Sequence, residues 1–315
     1  MTPRLALLII STAVGWSFLS GCGDKPGAQG PPDDGRLRIV ATTGMVGDLV
    51  KNIGGSRVRA TTLMGPGVDP HLYKATPSDA AALRSADMIF YNGLFLEGKM
   101  SELFEQIEKQ GGHVVAVAEA VDHARLIELP QLGHRDPHIW FDVSLWAECV
   151  PVVQKALTQK DPDGADEYRK NAEAYAKELE ALGEWCAEQA RLIPEDRRIL
   201  VTSHDAFGYF GRAYGFQVVG LQGISTALEP GQADIVNLVD FIRQHNAPAI
   251  FVESSVPRAA IERVAEDAGV KIGGELFSDA MGGEETPEGT YIGMARHNMR
   301  TIVDALSRET ERDSE

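Results

Sequence analysis

Four short segments of the chain carry side chains suited to metal chemistry. They are Asp69-Pro70-His71, Asp136-Pro137-His138, Ser203-His204-Asp205 and Phe277-Ser278-Asp279. A neutral imidazole offers one nitrogen lone pair, and an ionised carboxylate offers one or two oxygens. Three imidazoles and one carboxylate together form a ligand set that suits Zn²⁺, Mn²⁺ or Fe²⁺. Proline fixes φ, so each Asp-Pro-His presents its histidine from a stiff backbone. The sequence contains no compact metal motif such as His-Glu-x-x-His, so a centre of this kind requires the fold to gather distant segments.

The elements able to gather them can be read from the hydrophobic pattern. Short apolar, β-branched runs at 37–41, 58–63, 88–91 and 114–117 predict strands in the first half of the chain. Runs at 199–203, 217–221, 249–253 and 270–276 predict strands in the second half. Helical patterns near 45–54, 77–85, 100–110, 232–245 and 257–268 alternate with them. Such alternation predicts an α/β fold with parallel sheets covered by helices. Each of the four chemical segments follows a predicted strand, two in each half. Ligands of open α/β sheets bind beyond the carboxyl ends of strands.

Between the halves, Tyr168, Ala172, Tyr175, Leu179, Leu182, Cys186, Ala190 and Ile193 recur at three- or four-residue spacing. The period predicts one amphipathic helix over 165–193, a rigid strut between two βα lobes. The expected organisation is a signal peptide at 1–21, a tether at 22–36, an N-terminal lobe at 37–160, a connecting helix at 161–196 and a C-terminal lobe at 197–315.

Composition sets the broad class. The chain has 315 residues, 43% hydrophobic and 24% charged, with a net charge of −16. That is long and apolar enough for two cores, and the negative balance disfavours nucleic acid while suiting a cationic ligand. Arg4 followed by the apolar stretch 5–19 fits a signal peptide. Leu19-Ser20-Gly21-Cys22 resembles a bacterial lipobox, which implies diacylation of Cys22 and a cell-envelope, extracytoplasmic, lipid-anchored location. The Gly- and Pro-rich residues after it read as a tether. Cys149 and Cys186 remain. Their predicted positions on two antiparallel helices lie too far apart for a disulfide, so both are expected as buried thiols.

Gly65-Pro66-Gly67-Val68-Asp69-Pro70-His71, Asp136-Pro137-His138-Ile139-Trp140-Phe141-Asp142, Thr202-Ser203-His204-Asp205-Ala206-Phe207-Gly208-Tyr209-Phe210 and Phe277-Ser278-Asp279-Ala280-Met281-Gly282 occur in this order. In these motifs, and in Gly289 to Met294 with His297-Asn298, the chain resembles the zinc/manganese solute-binding family of ABC importers, most closely its TroA-like members. The resemblance covers about residues 37–307. It implies two βα lobes joined by a long helix, a metal bound between them by His71, His138, His204 and Asp279, and partnership with an ABC transporter permease. Some relatives carry Glu at the third position, so His204 places the chain with the three-histidine group. Zinc-specialised relatives often carry a His-rich loop before the second ligand, whereas 126–137 here holds only His134.

Glu253, Asp69, Asp136 and Asp205 are candidates to hold the ligands in place. His113, His123, His134 and His245 read as solvent-facing, and His297 as packed or hydrogen-bonded. Two other readings stay open: an exported zinc metallohydrolase with Glu253 as its base, and a lipid-anchored adhesin.

Overall fold

The computed structural model describes residues 34–307. The expected signal peptide, Cys22 and the expected tether up to residue 33 lie outside the described residues.

The first half runs β1 (Leu37–Ala41), α1 (Gly44–Gly54), β2 (Val58–Thr62), α2 (Pro77–Ser85), β3 (Met88–Tyr91), α3 (Ser101–Lys109) and β4 (Val114–Ala116). Its strands form one parallel sheet in the order β2-β1-β3-β4. Ile39 lies opposite Ala60 on one side and Met88 on the other. Strands covered on both faces need apolar side chains pointing both ways, hence the unbroken runs Ile39-Val40-Ala41 and Met88-Ile89-Phe90, all buried. Helix α2 starts where Thr76 caps Asp79 N, Asp79 bonds back to Thr76 N, and Pro77 presets the first turn.

A two-stranded antiparallel hairpin follows, β5 (Glu128–Leu129) with β6 (His134–Arg135). Then come α4 (Val143–Ala147), α5 (Val150–Lys160) and the long α6 (Ala165–Ala190). The second half contains β7 (Ile199–His204), α7 (Gly208–Tyr214), β8 (Gln217–Gln222), α8 (Gln232–His245), β9 (Ala249–Glu253), α9 (Ala259–Ala268), β10 (Lys271–Leu276) and α10 (Tyr291–Leu306). β7 pairs in parallel with β8, and β9 with β10. β7 runs beside β9.

Helix α6 has 26 residues, about 39 Å of rise at 1.5 Å per residue. Its stripe of Tyr168, Ala172, Tyr175, Leu179, Leu182, Cys186 and Ala190 is buried throughout. The helix ends at Ala190 rather than continuing to 193, because Ile193 precedes Pro194 and a pre-proline residue disfavours helical ψ. α6 packs on α1, α4 and α5 from the first half and on α7 and α10 from the second.

The largest hydrophobic cluster therefore runs through both halves along α6, from Met45 and Leu49 to Met299 and Leu306. Two smaller clusters lie apart from it, one in each half. The halves thus share the main core, and each adds a smaller one of its own. Cys149 and Cys186 both lie in the shared core as free thiols.

Candidate metal centre

His71 sits in an irregular segment, 63–76, between β2 and α2. His138 opens a single 3₁₀ turn, Ile139–Phe141, beyond the β5–β6 hairpin. His204 is the last residue of β7, and Asp279 lies just past β10. Parallel strands deliver His204 and Asp279, and the irregular segments after β2 and after the β5–β6 hairpin bring His71 and His138 to the same place, where one donor atom from each lies within 4.8 Å of the others.

The edge between His71 and His138, and the edges from Asp279 to the three histidines, have the length a metal requires. His71 Nε2 lies 3.2 Å from His138 Nε2. Asp279 Oδ1 lies 3.4 Å from His138 Nε2, and Oδ2 lies 3.5 Å from His71 Nε2 and 3.3 Å from His204 Nε2. A tetrahedron with bonds near 2.0–2.1 Å has edges of about 3.3–3.4 Å. His204 Nε2 and both Asp279 oxygens are buried with no hydrogen-bond partner. A buried lone pair without a partner carries a desolvation cost, and here a shared cation would satisfy three at once. His138, His204 and Asp279 are 0–1% exposed and His71 is 8% exposed, so the site comes closest to solvent on the His71 side.

Carboxylates set the orientation of the rings. Asp136 Oδ1 accepts from His138 N at 3.0 Å and from His138 Nδ1 at 2.7 Å. Glu253 accepts from His204 N at 2.8 Å and from Nδ1 at 2.5 Å. With Nδ1–H donated to a carboxylate, each Nε2 carries the free lone pair that a metal needs. His71 is oriented through its backbone, its N donating to Asp69 Oδ1 at 2.8 Å. Asp205 forms no side-chain hydrogen bond. It is half-buried, and burial and the Asp136 charge raise its carboxyl pKa.

Electrostatics follow from this packing. Burial pulls His138 down, but the Asp136 and Asp279 carboxylates more than offset it and hold it up at about 9. His204 is opposed by burial and raised well above the usual imidazole range by Glu253 and Asp279. Burial alone dominates at His71 and lowers it to about 3. Burial opposes the charge on Asp279, yet His204 and His138 hold it well below the usual carboxylate range.

The other histidines fall largely as expected. His113, His123 and His245 are exposed. His134 is an exception, half-buried with its ring stacked on Phe95 at 5.3 Å. His297 Nε2 bonds Glu275 O at 3.0 Å. The metallohydrolase reading loses its base, since both oxygens of Glu253 serve His204.

Sequence reasoning missed the bonds that tie the two halves beneath the site. Trp140 Nε1 donates to Ser278 O at 3.0 Å, and Tyr291 Oη donates to Trp140 O at 2.8 Å. Tyr209 Oη donates to Asp136 O at 2.8 Å and accepts from Ile127 N at 3.0 Å. All link residues far apart in sequence and leave no local pattern.

Comparison with known proteins agrees with this geometry. The family described as zinc-uptake complex component A, periplasmic, matches residues 39–305. The manganese-binding lipoprotein MntA of Bacillus subtilis (strain 168) is 46% identical over 293 residues, covering 91% of this chain and 95% of the relative. The zinc-binding protein TroA of Treponema pallidum (strain Nichols) is 45% identical over 310 residues, covering 97% and 99%. The solved structure of the periplasmic zinc-binding protein TroA from Treponema pallidum superposes with a TM-score of 0.85 at 47% identity, covering 87% of this chain and all of that one.

Proposed function

The chain belongs to the zinc-uptake complex component A family, and we propose that it captures one divalent transition-metal ion outside the cytoplasm and delivers it to the permease of an ABC importer. The observation that carries this reading is the buried convergence of His71, His138, His204 and Asp279, with partnerless lone pairs on His204 and Asp279. The ion is cargo. Four protein donors fill the positions of a tetrahedron and leave none for a reacting water, so the site is built to hold an ion and not to turn over a substrate.

Both Zn²⁺ and Mn²⁺ fit. Three nitrogens favour Zn²⁺ by the Irving–Williams order. Both Asp279 oxygens face the histidines, which offers Mn²⁺ a fifth donor. Two relatives of nearly equal identity are named for different metals, one for manganese and one for zinc. The metal content of protein isolated from its native membrane identifies the ion carried.

The reading places the mature chain on the membrane through an acylated Cys22, with lobes at 37–160 and 197–315 on either side of the connector 161–196. Cys22→Ala should release the protein from membranes or block its processing. Unchanged retention and mass would remove the anchor from the reading. Replacing His71, His138, His204 or Asp279 singly by Ala should weaken metal binding by roughly 100-fold or more, as expected when a buried donor is deleted. Ala at His113, His123 or His245 should change it less than twofold. Wild-type stoichiometry and affinity in two of the four ligand variants would refute the site.

A further inference from the structure

The ties between the two halves differ from the floor of the site to its mouth. On the floor, the neighbours of His138 and Asp279 are joined by the buried Trp140–Ser278 and Tyr291–Trp140 bonds. His204 is fixed to Glu253 within its own half. His71, on the solvent side, rides on 63–76, which contains neither strand nor helix. Its backbone is held by Asp69 Oδ1. The other oxygen of Asp69, Oδ2, accepts a hydrogen bond from the Thr226 hydroxyl. Thr226 is buried and belongs to the opposite half, in the segment between β8 and α8.

One carboxylate thus joins a hydroxyl from the second half to the backbone of a ligand from the first. We propose that Thr226 is a positioning residue that clamps the His71 segment across the mouth of the site and sets how long the metal stays bound. It touches no ligand atom and acts through Asp69. A bound ion pulls His71 toward His204 and Asp279, while Thr226 pulls Asp69 in the same direction, so each tie favours the other. Without the hydroxyl, His71 detaches more readily while the other three donors keep their places. Loss of metal then begins at His71.

This inference rests on the metal-capture reading and is tested separately from it. The full chain is loaded with one equivalent of Zn²⁺, and release into excess chelator is followed by stopped flow. The wild type, Thr226→Val and Thr226→Ser should each bind one Zn²⁺ per chain; a wild type that binds none overturns the capture reading itself. Thr226→Val, which keeps the shape and removes the hydroxyl, should release the ion about tenfold faster, a difference of about 1.4 kcal/mol. Thr226→Ala should reproduce that result, and Thr226→Ser should restore release to within about twofold of wild type. In an Asp69→Ala background, Thr226→Val should add less than twofold. Wild-type release from Thr226→Val and Thr226→Ala overturns the proposal, as does failure of Thr226→Ser to rescue, or an undiminished effect of Thr226→Val without Asp69.

Discussion

Glu253 commits one oxygen to the backbone N–H of His204 and the other to its ring. Asp136 does both jobs for His138 with a single oxygen. These carboxylates decide which ring nitrogen faces the ion, so Glu253→Gln and Asp136→Asn should each lower metal affinity by about 10–100-fold. Competition titration with a chromogenic chelator would show it, and affinities within twofold of wild type would contradict the orienting role. The same carboxylates also bind protons to the metal-free site. His138 is held up at about 9 by Asp136 and Asp279, against burial, while an unfolded histidine titrates near 6.5. A folded-state pKa above the unfolded one stabilises the apo protein fully below about pH 6.5, and that contribution fades as pH rises through about 9. The metal needs the same nitrogen unprotonated, so affinity should rise over that range. The apo melting temperature is thus expected to fall between pH 6.5 and 9 while the zinc-induced increment grows. Parallel trends in the two would refute this. At this scale repeated Asp-Pro-His and the strand-end rule marked His71, His138, His204 and Asp279 as candidates, and the family resemblance of their motifs joined them into one ligand set. Thr226 was not, because its partner Asp69 lies 157 positions away and a lone threonine in a loop has no pattern.

Helix α6 is the element on which both halves lean. Its buried stripe joins the core that runs from α1 to α10. Leu179 is fully buried there, and Leu179→Ala should cost about 2–5 kcal/mol. Because the core is continuous, denaturant unfolding of the variant should remain one transition with a lowered midpoint, by fluorescence and circular dichroism alike. Two separated transitions would mean that the halves fold independently after all. Strands Leu37–Ala41, Met88–Tyr91 and Ala249–Glu253 were legible to the residue, since strands buried on both faces are apolar along most of their length. Helix α2 matched the helical stretch expected over 77–85. The β5–β6 hairpin has two residues per strand, and α4 and α7 have five and seven. None of these spans two full turns or alternations, so no period could reveal them.

At the scale of the whole molecule, the ion acts as a cross-link between halves already joined by α6 and by the bonds under Trp140. A ligand bound by the native state alone adds about 4 kcal/mol at 1,000-fold excess over Kd. For a chain of this size that is on the order of 10 °C in melting temperature. A melting temperature indifferent to both Zn²⁺ and Mn²⁺ would refute the cross-link. The whole sequence carries a formal net charge of −16, so the association rate of the ion should fall as salt is added, while the buried site keeps most of its affinity. The nitrogen-rich cage has one further consequence, which concerns the ions it must ignore. Ca²⁺ seeks six to eight oxygens at 2.3–2.6 Å, and Mg²⁺ holds its waters in an octahedron of oxygens. Three buried imidazole nitrogens and one buried carboxylate, all within 4.8 Å of one another, give neither ion its donors or its hydration shell. The site should therefore stay available to a scarce ion in a medium crowded with common ones. A large molar excess of Ca²⁺ or Mg²⁺ is expected to leave both the melting temperature and the zinc titration unchanged.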